Sequence, residues 1–131
     1  MKTRSSIWRL KENGRYDGIY CEWNGYISNN GKILFKYYQD ESKIKELIEL
    51  GSISTLEATP ATCVAFHRDR NEKLQIIKDI QLGSFLPVDS NTRYKDYNYL
   101  FENGSWYVTC KDYTHKQLTQ EFIDKAEENY E

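Results

Sequence analysis

The segment at 97–110, "YNYLFENGSWYVTC", is the feature of this chain that most constrains its fold. Two runs of aromatic and β-branched residues flank the dipeptide Asn103-Gly104. Asn-Gly favours positive φ at both central positions of a two-residue turn, and the flanking residue types favour extended backbone. The segment therefore predicts a β-hairpin. Within its second strand Trp106 shares a face with Val108 and Cys110, which predicts that the indole ring lies mainly in the core.

Similar signals divide the rest of the chain into strands and helices. Asn13-Gly14 joins strand-like runs at 7–10 and 19–23, and 62–66 is a further strand-like run. Apolar residues at helical spacing predict two short tandem helices at 32–39 and 41–50, the second capped by Asp40 and ended by Gly51. The box T-x-x-Q that begins at Thr114 predicts the start of a final helix.

These elements predict an α+β fold. We expect an antiparallel sheet of about four to five strands, with the two short tandem helices and the C-terminal helix packed on it. The chain of 131 residues has the length of one domain, so residues 1–131 are predicted to form a single domain. Residues 83–96 are polar, contain Gly and Pro, and predict a loop.

Composition excludes several classes of function. The net charge of −2 disfavours binding to duplex nucleic acid, which depends on neutralising phosphates. The chain has neither a signal-like segment nor an apolar run that could span a membrane, and its three cysteines are scattered without a CxxC pair. We therefore expect a reduced, cytoplasmic protein without a membrane partner. The two histidines and three cysteines lack metal-ligand spacing, so neither a metal nor a cofactor is expected.

The stretch "IYCEWNGY" at 19–26 is the first candidate for a binding site. Tyrosine and tryptophan can form the inside of a sheet or stack on a nucleobase, and aromatic residues make up 15% of this chain. Period two places Ile19, Cys21 and Trp23 on one strand face, which fits a sheet interior. Both interpretations remain open. An Asn- and Gly-rich loop follows and ends at Lys32, which could present an amine and backbone amides to an anion.

The stretch "AFHRDR" at 65–70 is the second candidate. Arg68 and Arg70 carry guanidinium groups that suit phosphate or carboxylate, and His67 has an imidazole that can act as a general acid or base near neutral pH. The alternative is a strand end whose charges form a surface ion-pair cluster of little energetic value. The ten candidate ligand-binding residues are Tyr20, Trp23, Asn24, Tyr26, Lys32, His67, Arg68, Arg70, Trp106 and Tyr107.

Four blocks in this order, "GIYCEWNGYISNNGKIL", "KIKELIELGSISTL", "AFHRDR" and "YLFENGSWYV", resemble a family of small uncharacterised phage and prophage proteins. The first block of those relatives reads more like Ile-Tyr-Cys-His-Trp-Asp-Gly-Tyr-Pro, from which Glu22, Asn24 and Ile27 depart. The resemblance covers most of residues 7–108 and implies a phage origin. Small acidic phage proteins rich in aromatic residues often counter host defence, and some sequester nucleotide-derived immune signals.

The leading hypothesis is therefore a phage-encoded cytoplasmic binding module, more a binder than an enzyme, that antagonises host defence. It would sequester a small nucleotide-derived immune signal, and it would form a homo-oligomer whose pockets lie between subunits. One alternative is an enzyme that cleaves such a signal with His67 as acid or base. The other is a protein inhibitor of a host defence protein, such as an anti-CRISPR protein, whose acidic C-terminal helix mimics nucleic acid.

Overall fold

A computed structural model describes residues 2–82 and 96–129 of the chain. Within these residues eight strands form one mixed sheet with the order β4-β3-β2-β1-β6-β7-β8, and β5 pairs with β2. The strands are β1 Ser5–Leu10, β2 Tyr16–Cys21, β3 Ile53–Thr55, β4 Val64–Ala65, β5 Ile77–Ile80, β6 Tyr97–Glu102, β7 Ser105–Cys110 and β8 Lys116–Gln117. The α-helices are α1 Lys32–Tyr37, α2 Glu41–Glu49, α3 Phe66–Arg70 and α4 Gln120–Asn129.

The α+β class is confirmed, but the prediction of an antiparallel sheet of four to five strands is wrong. Strand β1 pairs in parallel with β6, and β2 pairs in parallel with β3. The additional strands β3, β5 and β8 are two to four residues long, too short to show an alternating pattern. Local patterns also cannot reveal a parallel pair whose members lie far apart along the chain, because such strands are joined by long crossovers.

Both predicted hairpins are confirmed. Strands β1 and β2 are antiparallel neighbours, and so are β6 and β7. Gly14 adopts a φ of +81°, and Asn103 and Gly104 adopt φ values of +50° and +86°. These positive values explain the glycine in each turn and the asparagine at position 103, since other residue types rarely adopt them.

The two faces of the sheet bury different groups of side chains. On one face Ile7, Ile19 and Trp106 belong to the main core, against which the helices pack. On the other face Trp8 and Leu100 form a smaller buried cluster. Trp106 is 1% exposed, so the prediction that it lies in the core is confirmed.

Two local predictions are wrong about where an element begins or ends. Helix α4 begins at Gln120 rather than near Thr114, because the hydroxyl of Thr119 accepts the N–H of Phe122 at 3.1 Å and caps the helix there. The strand expected at 62–66 is limited to Val64–Ala65, and the next five residues form one helical turn. The predicted loop at 83–96 lies outside the described residues, apart from Asp96.

The helices of the described part of the chain are all too short or too polar to cross a membrane.

Candidate functional site

The charged stretch "FHRDR" forms a helical turn whose two arginine side chains make different contacts. The guanidinium of Arg68 donates to the carbonyl oxygens of Pro60 at 3.0 Å and Cys63 at 2.6 Å, and it pairs with the carboxylate of Asp69 at 2.8 Å. Asp69 in turn accepts the backbone N–H of Ala65 at 2.8 Å. Arg68 therefore ties α3 to the preceding turn, which is a structural role.

The same contacts make a carboxylate in α3 sensitive to acid. The hydrogen bond from Arg68 is the main cause that lowers the pKa of Asp69 from 3.8 to about 2, and the N–H of Ala65 adds to it. A carboxylate with a lowered folded-state pKa stabilises the fold above its ordinary pKa and loses that contribution as the pH falls through the folded value.

We expect Asp69→Asn to lower the urea midpoint of unfolding at pH 5 to 7, and the difference from the parent to shrink as the pH falls from about 4 towards 2. The measurement is a set of urea titrations across this pH range. Glu12→Gln, which removes an exposed carboxylate from the β1–β2 turn, serves as the control and should show no such trend. A deficit of Asp69→Asn that is equal at pH 2.5 and pH 7 would contradict the assignment.

His67 and Arg70 lie on the outside of the same turn. The Nδ1 atom of His67 is 2.8 Å from the carbonyl oxygen of Glu72. A carbonyl can only accept, so Nδ1 carries the hydrogen and Nε2 is the proton acceptor of the neutral ring. The guanidinium of Arg70 lies over the ring of Phe66 at 5.3 Å from its centroid. Both side chains belong to exposed residues.

A small cavity lies directly beside this turn, between α3 and strand β2. It has a volume of about 200 Å³ and is lined by Tyr20, Ser52, Phe66, Glu72, Lys73 and Gln75. Partial burial raises the pKa of the Tyr20 hydroxyl, while the positive charges of Arg4 and Lys2 oppose the shift. Two further cations therefore act on this cavity from the N-terminal segment.

Trp23 extends the same surface beyond the cavity. Strand β2 ends at Cys21, so Trp23 leaves the sheet and is 37% exposed. The alternation of a strand predicted that Trp23 would share a face with Ile19 and Cys21, but those two residues are buried. Lys2 lies over the Trp23 ring at 5.6 Å and forms an ion pair with Glu22 at 2.7 Å. This ion pair, together with the charge of Arg70, lowers the pKa of Glu22.

We call this region the Tyr20 surface. It consists of three aromatic rings and four cations, and Glu22 and Glu72 are the acidic residues placed among them. A flat ring can stack on its aromatic side chains, and an anion can approach its cations. Its members are Lys2, Arg4, Tyr20, Trp23, Phe66, Arg70 and Lys73.

The structure brings Tyr20, Trp23 and Arg70 of the ten candidates to this surface, leaves His67 on the adjacent turn of α3, and places the others elsewhere. Arg68 is structural, as described above. Asn24 has a φ of +60° and accepts the N–H of Asn30 through its carbonyl, so it shapes a turn. Trp106 is in the core.

The remaining candidates lie near other elements. Tyr26 packs against Tyr97 with ring centroids 6.4 Å apart, and Lys32 forms an ion pair with Glu127 of α4 at 2.7 Å. Tyr107 stacks on His115 at 4.2 Å on the opposite side of the β7 pleat from Trp106. These three residues do not extend the Tyr20 surface.

Four members of the surface were not among the candidates from the sequence: Lys2, Arg4, Phe66 and Lys73. The first two lie in the N-terminal segment and reach Tyr20 because β1 and β2 are paired in register, with Ser6 opposite Tyr20. Phe66 directly precedes His67, and an aromatic residue beside a charged run could have indicated that it belongs to the same binding surface. Lys73 lies in an irregular segment with no pattern of its own.

The surroundings of Cys21 do not activate its thiol. Burial raises the pKa of the Cys21 thiol to about 12, and Asn30 donates to its sulfur at 3.4 Å. A buried thiol of this kind is a poor nucleophile. Within residues 2–82 and 96–129 the His, Cys, Asp and Glu side chains do not gather into a group that could hold a metal ion.

Comparison with protein-family models, with curated proteins and with solved structures finds no match for this chain.

Proposed function

We propose that the protein binds a small nucleotide-derived anion on the Tyr20 surface and sequesters it. The observation that carries the proposal is the composition of this surface. In a chain with a net charge of −2, it combines four cations with three aromatic rings beside a cavity. Arginine and lysine suit phosphate, and aromatic rings accept any nucleobase by stacking.

The size of the cavity defines what it can hold. Its volume of about 200 Å³ is below the roughly 300–1,000 Å³ of pockets that enclose a drug-sized ligand. The cavity would therefore hold one part of a nucleotide, and the rest would lie across the exposed ring of Trp23 and the guanidinium of Arg70. Trp23 and Leu74 are 37% and 44% exposed beside this site, which supports a homo-oligomer in which a second subunit covers the ligand.

The sequence resemblance adds a biological setting to the proposal. A phage protein of this kind would act in the host cytoplasm and withhold an immune signal from its receptor. The alternative of nucleic-acid mimicry by the acidic helix has weaker support, because two acids of α4 are paired with lysines, Glu127 with Lys32 and Glu121 with Lys125.

Removal of single positive charges from the Tyr20 surface is the direct test. We expect Arg70→Ala and Lys73→Ala each to weaken the binding of a phosphate-bearing nucleotide about tenfold. This is the lower end of the effect of losing a charge-assisted hydrogen bond at an exposed site. Affinity should also fall with added salt. The measurement is titration calorimetry with cyclic dinucleotides, cyclic mononucleotides and ADP-ribose.

Lys45→Ala is the matched control, because it removes the same charge from an exposed position of α2. It should bind like the parent. If the double variant Arg70→Ala/Lys73→Ala binds each nucleotide of the panel as the parent does, or if the parent binds none of them, the proposed function is wrong.

His67 separates sequestration from cleavage. The hydrogen bond to Glu72 leaves Nε2 as a possible general base, which is the observation in favour of an enzyme. In a sequestering protein His67→Ala changes affinity alone, and heating releases the ligand intact. In an enzyme the same variant still binds but loses turnover, which mass spectrometry of the released molecules detects.

A further inference from the structure

A second cavity lies on the other face of the sheet, between α4 and the ends of β6 and β7. Its volume is about 350 Å³, within the range of small-molecule sites. Ile27, which is 1% exposed, forms its floor, and Tyr97, Tyr113 and Phe122 contribute aromatic rings to its walls. We call it the Tyr113 cavity. The Tyr20 surface shares none of its lining residues.

The rings of the Tyr113 cavity are held by their neighbours. Tyr113 meets Phe122 edge to face with centroids 4.9 Å apart, and Tyr97 is backed by Tyr26 at 6.4 Å. Such pairs contribute beyond their buried area. The walls therefore present aromatic faces, among them the 41% exposed ring of Tyr113, on which a flat ring can stack.

The rim of the cavity is polar. Asp112, Lys125 and Asn129 are exposed residues that line it. They offer a carboxylate acceptor, an ammonium donor and an amide that both donates and accepts. A nucleobase presents the matching donors and acceptors along its edges, and proteins read unpaired bases by stacking on aromatic rings together with hydrogen bonds to those edges.

The charged residues that line the cavity give no net attraction for a phosphate group. They are Asp112 and Lys125, whose charges are opposite. We propose that the Tyr113 cavity binds the nucleobase of a nucleoside and gains nothing from a phosphate group. This site is independent of the proposed function, because the Tyr20 surface, with its four cations, favours the phosphorylated form.

The test compares adenosine, guanosine, cytidine and uridine with their 5′-monophosphates at low salt, by calorimetry and by two-dimensional NMR of the labelled protein. We expect at least one nucleoside to bind with shifts at Tyr113 and Phe122. We expect its 5′-monophosphate to bind this cavity within about twofold of the nucleoside, because the two opposite charges at the rim offset each other.

Two variants locate the binding. Ala126 lines the cavity and is half-buried, so Ala126→Trp should fill the space and abolish nucleoside binding. Phe122→Leu keeps an apolar side chain but removes one ring, and should weaken binding about tenfold through lost stacking. If Ala126→Trp does not fold, the affinity of Phe122→Leu for the nucleosides tests on its own whether they bind in the Tyr113 cavity.

Arg70→Ala, which alters the Tyr20 surface, should leave nucleoside binding unchanged. The inference is overturned if the four nucleosides do not bind, or if Phe122→Leu binds them like the parent. It is also overturned if nucleoside binding is lost in Arg70→Ala, which would assign the nucleosides to the Tyr20 surface and leave the proposed function standing.

Discussion

Replacing Trp106 by alanine should lower the free energy of unfolding by about 3–5 kcal/mol, the usual cost of removing a large aromatic side chain from a core. The indole is 1% exposed and lies 5.1 Å from the ring of Phe101 between centroids. Its Nε1 also donates to the carbonyl oxygen of Tyr38 at 2.7 Å, which the substitution leaves without this donor. For a chain of this length the melting temperature should fall by roughly 10–20 °C.

Trp23→Ala is the matched control, because it removes the same side chain from a position that is 37% exposed. Its melting temperature, followed by far-ultraviolet circular dichroism, should stay within a few degrees of the parent. A Trp106→Ala protein that unfolds at the parent's temperature would show that the indole does not contribute to the core as described.

We expect Gly18→Ala to be almost as damaging, although it adds a single methyl group. A Cβ atom at Gly18 would lie 2.1 Å from Cε3 of Trp8 on the neighbouring strand. The indole cannot easily move aside, because its Nε1 donates to Ser6 at 2.7 Å and the Ser6 hydroxyl donates to Asn98 at 2.6 Å, all of them buried. Overpacking of this kind costs about 3 kcal/mol or slightly more.

A double-mutant cycle tests that cause. In a Trp8→Leu background the smaller side chain leaves room for a methyl group, so Gly18→Ala should cost less than half of what it costs in the parent. Urea unfolding of the four proteins gives the coupling energy. Equal costs in the two backgrounds would mean that the clash with Trp8 is not the reason for the damage.

The parts of the fold that sequence reasoning predicted correctly depend on neighbours along the chain. Asn103-Gly104 specifies a hairpin because both positions of its two-residue turn need positive φ, and Gly14 supplies the positive φ of the longer β1–β2 turn. The parallel pairing of β1 with β6 has no local signal of this kind. Ser6 and Asn98, for example, are 92 positions apart and meet through one buried hydrogen bond.

The candidate site shows the same division. Tyr20, Trp23, His67 and Arg70 lie in two short stretches whose residue types indicated a site, and the fold places both stretches at one surface. Arg68 could not be separated from Arg70 by sequence, since both are arginines in one charged run. Their contacts separate them in the structure, where Arg68 donates to a carbonyl of the turn at Pro60–Thr62 and Arg70 lies over the ring of Phe66.

The central position of β1 has a consequence for synthesis on the ribosome. Strand β1 pairs with β2 on one side and with β6 on the other, and β6 begins at Tyr97. At a translation rate of about 5–20 residues per second, the β1–β2 hairpin waits roughly 4–15 s for that second partner. During this interval one edge of β1 is open to other chains, so we expect the nascent N-terminal half to be more prone to aggregation than the finished protein.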